Sequence, residues 1–122
     1  MHLEALDFRL TVCKVATMAD ANADDGFFFL ARTGEEISLV CRTEDAPRAT
    51  VARDDGWRAF RVKGSMDFSM VGVLARLAGV LAGRHIPIFA VSTFNTDYVL
   101  VKAENFDRAM ALLADAGYTV TG

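Results

Sequence analysis

Apolar residues fall at Met70, Val73, Leu74, Leu77, Val80 and Leu81, three and four apart. This spacing predicts an amphipathic helix over 70–83. Asp67 or Ser69 stands where it can cap the start, and Gly83 where it can end the helix. Upstream, residues 57–63 alternate, with Phe60 and Val62 on one face and Arg58, Arg61 and Lys63 nearer water. That is the pattern of a half-buried strand. Downstream, residues 86–92 form a continuous apolar run, expected to be buried on both faces or to lie under helices. A turn at 93–96 leads to a strand over 98–101, the two strands reading as a hairpin. Phe106, Ala109, Met110 and Leu113 stripe a second helix over 104–116, closed by Gly117, and a short strand comes after it at 118–121. The order strand, helix, strand, strand, helix, strand predicts an α+β fold: two helices on one face of a four-stranded antiparallel sheet.

The first half reads as a thinner version. A strand over 6–15, a short helix over 17–22, a turn at Gly26 and strands over 27–31 and 37–41 are expected, the last two joined by a tight turn at Thr33-Gly34. Residues 43–56, with Pro47 and the Asp54-Asp55-Gly56 cluster, read as a connector. So little helix leaves one sheet face uncovered, so this half is expected to pack on the other as one unit. The expected halves are 1–56 and 57–122, a degenerate internal duplication. The sequence does not assign the last strand to either half.

Charge narrows the partners. The net charge is −3, with 8 basic and 11 acidic residues in 1–61 and 5 of each in 62–122. No basic patch is present to grip nucleic acid. Over half the residues are apolar, which argues against disorder. Cys13 and Cys41 lie in strand-like contexts and read as free buried thiols of a reducing cytosol, or as a disulfide if their strands lie side by side. Two His and two Cys, widely spread, make no metal site. The 70–83 helix is too short to span a bilayer, and the chain start lacks a basic region leading into an apolar run, so no membrane association and a cytoplasmic location are expected.

No catalytic set stands out. His2 is terminal and His85 ends a helix, and no Gly-rich phosphate loop appears, so neither enzyme activity nor a cofactor is expected. An enzyme alternative has one form. Gly72-Val73-x-x-Arg76 with Asn95 imitates the acylphosphatase pattern, but the apolar stripe places Arg76 within a helix, and Asp67 adds negative charge where anion-binding amides would be needed.

The stretch Gly64-Ser65-Met66-Asp67-Phe68-Ser69-Met70-Val71-Gly72-Val73-Leu74-Ala75 resembles the bacterial tandem ACT-domain proteins. So does Ile86-Pro87-Ile88-Phe89-Ala90-Val91-Ser92-Thr93-Phe94-Asn95-Thr96-Asp97-Tyr98-Val99-Leu100-Val101. Gly26-Phe27-Phe28, Ile37-Ser38-Leu39-Val40-Cys41 and Gly56-Trp57-Arg58 are similar to that family's first half. The family is related to aspartate kinase regulatory domains and to the animal cytosolic arginine sensor. The resemblance implies a ferredoxin-like βαββαβ ACT fold, a homodimer, and a free amino acid bound by Asp67, Phe68, Ser69, Met70, Val71, Gly72 and Val73 together with Thr93, Phe94, Asn95 and Asp97. Met70 stands where the arginine sensor has an acidic residue, which points to an apolar or small amino acid instead of arginine.

Physical chemistry supports the same place independently. A helix start near residues 67–72 offers N–H groups and partial positive charge to a carboxylate. Gly72 lets a ligand approach the backbone, or only allows close packing of the helix. Asp97 has the charge to hold an ammonium group, or serves only the turn. Met70 and Phe94 would line the side-chain pocket, or belong to the core. A competing reading is an assembly domain that dimerises without any ligand.

Overall fold

The computed structural model describes residues 1–21, 26–63 and 72–122. In chain order the elements are β1 (His2–Ala5), β2 (Leu10–Val15), α1 (Met18–Ala21), β3 (Phe28–Arg32), β4 (Ile37–Arg42), a 3₁₀ turn (Thr43–Asp45), β5 (Ala52–Val62), α2 (Val73–Ala82), β6 (Phe89–Ser92), β7 (Asp97–Lys102), α3 (Ala103–Asp115) and β8 (Thr119–Thr121). They form two compact units, Phe8–Trp57 and Met1–Asp7 with Arg58–Gly122. The long strand β5 gives its first half to the smaller unit and its second half to the larger.

In the larger unit the expected order is present: β5, α2, β6, β7, α3, β8. Its sheet has a fifth strand, because β1 lies between β5 and β8 and the order runs β6-β7-β5-β1-β8. Strand β1 is antiparallel to β5, with Leu3 opposite Val62, and parallel to β8, with Leu3 opposite Val120. That pairing assigns the last strand to this unit. The strand expected over 6–15 is the shorter β2, and a separate strand, β1, precedes it. Four residues with a single fully buried side chain, Leu3, give no usable periodicity for β1.

Both helices and the sheet share one core. Val73, Leu77 and Leu81 of α2 and Phe106, Ala109, Met110 and Leu113 of α3 meet Leu3, Phe60, Val62, Val99 and Val101. Each large side chain buried there stabilises the fold by roughly 1.5–3 kcal/mol. The run over 86–92 departs from expectation. Only Phe89–Ser92 is strand, and its residues alternate between half-buried and exposed because β6 pairs with β7 alone among the described residues.

The helix ends show how the sequence stops them. In α3 the N–H of Tyr118 donates to the Leu113 carbonyl at 3.1 Å and that of Gly117 to Ala114 at 3.0 Å, with Gly117 at φ 103°. This is a Schellman closure, and the left-handed residue is a glycine. In α2 the same pair of bonds runs from Ile86 to Leu81 and from His85 to Ala82, both at 3.0 Å. The left-handed residue there is His85, at φ 59°, while Gly83 keeps a right-handed φ of −61°. Gly83 thus caps the end of α2 as expected, but the left-handed residue that closes the turn is His85.

The smaller unit orders its strands β3-β4-β2-β5, all antiparallel. The expected connector over 43–56 is shorter than the sequence implies, since β5 already begins at Ala52. The Asp54-Asp55-Gly56 cluster is strand. Asp55 is anchored there by accepting from the fully buried Thr11 hydroxyl at 2.6 Å and from Arg53 Nε at 2.9 Å. Cys13, Val15, Ala21, Leu39 and Cys41 form a compact core. Cys13 faces Leu39 and Cys41 faces Thr11, so the thiols sit diagonally on neighbouring strands, both free. Burial, and then the neighbouring Cys13, pushes the Cys41 thiol up to about 11; burial also raises Cys13.

Candidate functional site

The turn between β6 and β7 is built by two threonines. The Thr93 N–H donates to the Thr96 carbonyl at 2.8 Å, the Thr93 hydroxyl to the same carbonyl at 2.9 Å, and the Thr96 N–H back to Thr93 Oγ1 at 3.3 Å. The buried Thr96 hydroxyl then donates to the Val62 carbonyl at 2.7 Å. This bond ties the turn to the end of β5, where the chain leaves for α2. The first residue after the turn is Asp97, paired with Ser92 across the hairpin.

Asp97 lies on the same side of β7 as Val99 and Val101, the face covered by helices. It is only 9% exposed. No donor or cation among the described residues engages its carboxylate. A buried carboxylate without a partner is costly, and native structures rarely keep one without a reason.

The start of α2 is the second part of the site. Gly72 precedes the helix at φ 78°, a left-handed conformation that glycine adopts without strain. Arg76, one turn on, brings Nη1 to 3.2 Å from where a Cβ on Gly72 would lie. A guanidinium therefore sits at the positive end of the helix, adding to the attraction this end has for anions. In the sequence Arg76 stands out only as part of a phosphatase-like pattern. The signal that identifies it is its four-residue spacing from Gly72, which returns a helical side chain to the same face one turn later.

The other expected site residues are distributed unevenly. Asp67, Phe68, Ser69, Met70 and Val71 lie outside the described residues. Val73 is 3% exposed and packs in the core with Leu77 and Leu81. Thr93 is half-buried in the turn, Asn95 is exposed, and Phe94 projects from the tip at 82% exposure. Among the described residues no three His, Cys, Asp or Glu gather to hold a metal ion, and no helix is long and apolar enough to cross a membrane.

A βαββαβ unit with both helices on one sheet face is a ferredoxin-like fold, and the family comparison specifies it. The ACT domain model matches residues 52–115, slightly more than half of the chain, and the chain belongs to the ACT domain family. It is 26% identical over 107 residues to the bovine (Bos taurus) cytosolic arginine sensor for mTORC1 subunit 1, covering 82% of this chain and 32% of the relative. The human sensor is 29% identical over 94 residues, covering 71% and 29%. The chain thus spans about a third of the length of these relatives. Among solved structures, protein Atu0741 from Agrobacterium tumefaciens superposes with a TM-score of 0.86 at 29% identity, covering 99% of this chain and 92% of that one. The regulatory subunit of aspartate kinase from Thermus thermophilus shares the fold at a TM-score of 0.66 and 12% identity, covering 96% and 97%.

Proposed function

We propose that this chain is a non-catalytic regulatory module that binds a free amino acid or a similar small metabolite. The site is formed by Asp67–Val73 at the entry to α2 and by Thr93–Asp97 at the β6–β7 turn. The single observation that carries this reading is Asp97, a nine-tenths buried carboxylate without a partner among the described residues. An α-ammonium group would supply the missing charge through a charge-assisted hydrogen bond. The α-carboxylate would sit at the start of α2 with the Arg76 guanidinium. The arginine-sensing relatives and the aspartate kinase regulatory subunit support an effector-binding role. Met70, a neutral side chain, favours an apolar or small amino acid over arginine.

A thermal-shift screen of the full chain against the twenty amino acids tests this. A ligand at about 100 times its Kd adds roughly 2.7 kcal/mol of stability, several degrees for a domain of this size. Asp97→Asn should weaken that ligand by roughly 1.5–3 kcal/mol. It should also leave the unliganded protein at least as stable, because a buried carboxylate with no partner among the described residues contributes nothing where it lies. Loss of stability without ligand would make Asp97 structural and sink the assignment. A second reading, assembly without ligand as a homodimer, is favoured by the edge of β6, which pairs only with β7 among the described residues. It predicts no shift from any amino acid.

A further inference from the structure

Strand β5 pairs with β1 on one side and with β7 on the other. Toward β1 it uses residues 59 and 63: the Leu6 N–H donates to the Ala59 carbonyl and the Lys63 N–H to the His2 carbonyl, both at 2.9 Å. Backbone groups alternate sides along a strand, so the Val62 carbonyl points the other way, toward β7. The Thr96 hydroxyl donates to it at 2.7 Å from the residue just before β7. Thr96 is only 4% exposed, so water does not readily replace this bond once the hydroxyl is gone. The Thr96 carbonyl also accepts from the Thr93 N–H and hydroxyl. One residue thus closes the turn and fastens it to the strand end from which the chain departs for α2. The matching position in the β3–β4 turn is Glu36, exposed and with an ionised carboxylate that cannot donate to a carbonyl. The turn itself therefore does not require the tie, which is found at the hairpin that carries the buried Asp97.

We propose that Thr96 is a positioning residue of the site around Asp97, a role that rests on the reading of that site as one for a free amino acid. Its hydroxyl fixes the backbone of Asp97 against the end of β5 before any ligand arrives, so binding does not have to order the two segments. Without the tie only a fraction of the molecules hold Asp97 in place, and the apparent affinity falls by that fraction. A residue that served the fold alone would change the Tm and leave the affinity of the folded protein as it is.

Calorimetric titration of the full chain with each of the twenty L-amino acids tests the proposal. Thr96→Val removes the hydroxyl and keeps the shape, Thr96→Ala removes it in a smaller side chain, and Thr96→Ser keeps it. All are compared at a temperature where circular dichroism shows them folded, so that lost stability is not read as lost binding. The amino acid that the wild type binds should bind about tenfold more weakly to Thr96→Val and Thr96→Ala, and within about twofold of wild type to Thr96→Ser. Wild-type affinity in the folded variants without the hydroxyl, or a Thr96→Ser as weak as they are, would overturn the positioning role and leave the ligand assignment standing. A wild type that binds none of the twenty would overturn the ligand assignment and the role of Thr96 with it.

Discussion

The hairpins β3–β4 and β6–β7 carry the same turn sixty positions apart, yet beyond their second strands the chain takes different courses. Thr33 N–H donates to the Glu36 carbonyl at 2.9 Å, and Glu36 N–H to Thr33 Oγ1 at 3.2 Å, as Thr93 and Thr96 do at 2.8 and 3.3 Å. Both second strands end in a cation with the same backbone, Arg42 at φ −60°, ψ 142° and Lys102 at φ −59°, ψ 141°. After Lys102 the chain makes thirteen residues of helix; after Arg42 it makes three of 3₁₀. Pro47 explains the difference. It lacks the N–H that a helix would use there and forces Ala46 into an extended conformation, φ −61°, ψ 140°. The positions matching Phe106, Met110 and Leu113 are Ala46, Thr50 and Arg53, so no apolar stripe would hold a helix even without the proline. The two hairpins match in their turns and strand ends; the second helix, and with it the larger core, follows one of them alone.

The largest expected effect tests that asymmetry of packing. Leu113 is fully buried between helix and sheet, and Leu113→Ala should cost about 4 kcal/mol. Leu39, 2% exposed in the smaller core, should cost nearer to about 2 kcal/mol as Leu39→Ala, because a thin core collapses more readily around a deletion. Urea denaturation monitored by circular dichroism measures both. A Leu39→Ala cost equal to that of Leu113→Ala would show that the smaller core is as tightly determined as the larger.

The turns should behave alike in sign and differ in size. Thr93 is half-buried and Thr33 exposed, so water replaces the lost hydroxyl more easily at Thr33. Thr93→Ala is expected to cost about 1–1.5 kcal/mol and Thr33→Ala about 0.5 kcal/mol by the same denaturation measurement. A reversed order would mean that the shared turn plays different parts in the two hairpins.

Periodic elements are legible in the sequence, and the special pairings are hidden from it. Helices α2 and α3 are written in apolar stripes, and the hairpins in short apolar runs around Thr-rich turns. Strand β1 is not legible, because Leu3 is its one fully buried side chain and its place between β5 and β8 is a long-range pairing that no local pattern encodes. Strand β5 is longer than its sequence suggests because Asp54-Asp55-Gly56 looks like a turn; Thr11, more than forty residues away, keeps it extended. At the candidate site, charge and turn position are enough to single out Asp97 and Gly72. The burial of Asp97 and the return of Arg76 to the start of α2 emerge only once the chain is folded.

The smallest expected effect compares the two helix ends. Both use the same pair of closing hydrogen bonds and a left-handed residue, glycine at 117 in α3 and histidine at 85 in α2. That conformation costs a residue with a Cβ roughly 1–2 kcal/mol, whereas glycine avoids the clash but loses more freedom on folding. His85 is exposed and is succeeded by the buried Ile86, which fixes the closure whatever occupies position 85. His85→Gly should therefore stabilise the protein by about 0.5–1 kcal/mol, seen as a rise of a few degrees in Tm. Gly117→Ala should lower stability by about 1 kcal/mol at the matching place in α3, where nothing lies close enough to a new Cβ to mask the backbone effect. A destabilised His85→Gly variant would mean that the imidazole makes a contribution at the end of α2 that outweighs the strain of its backbone.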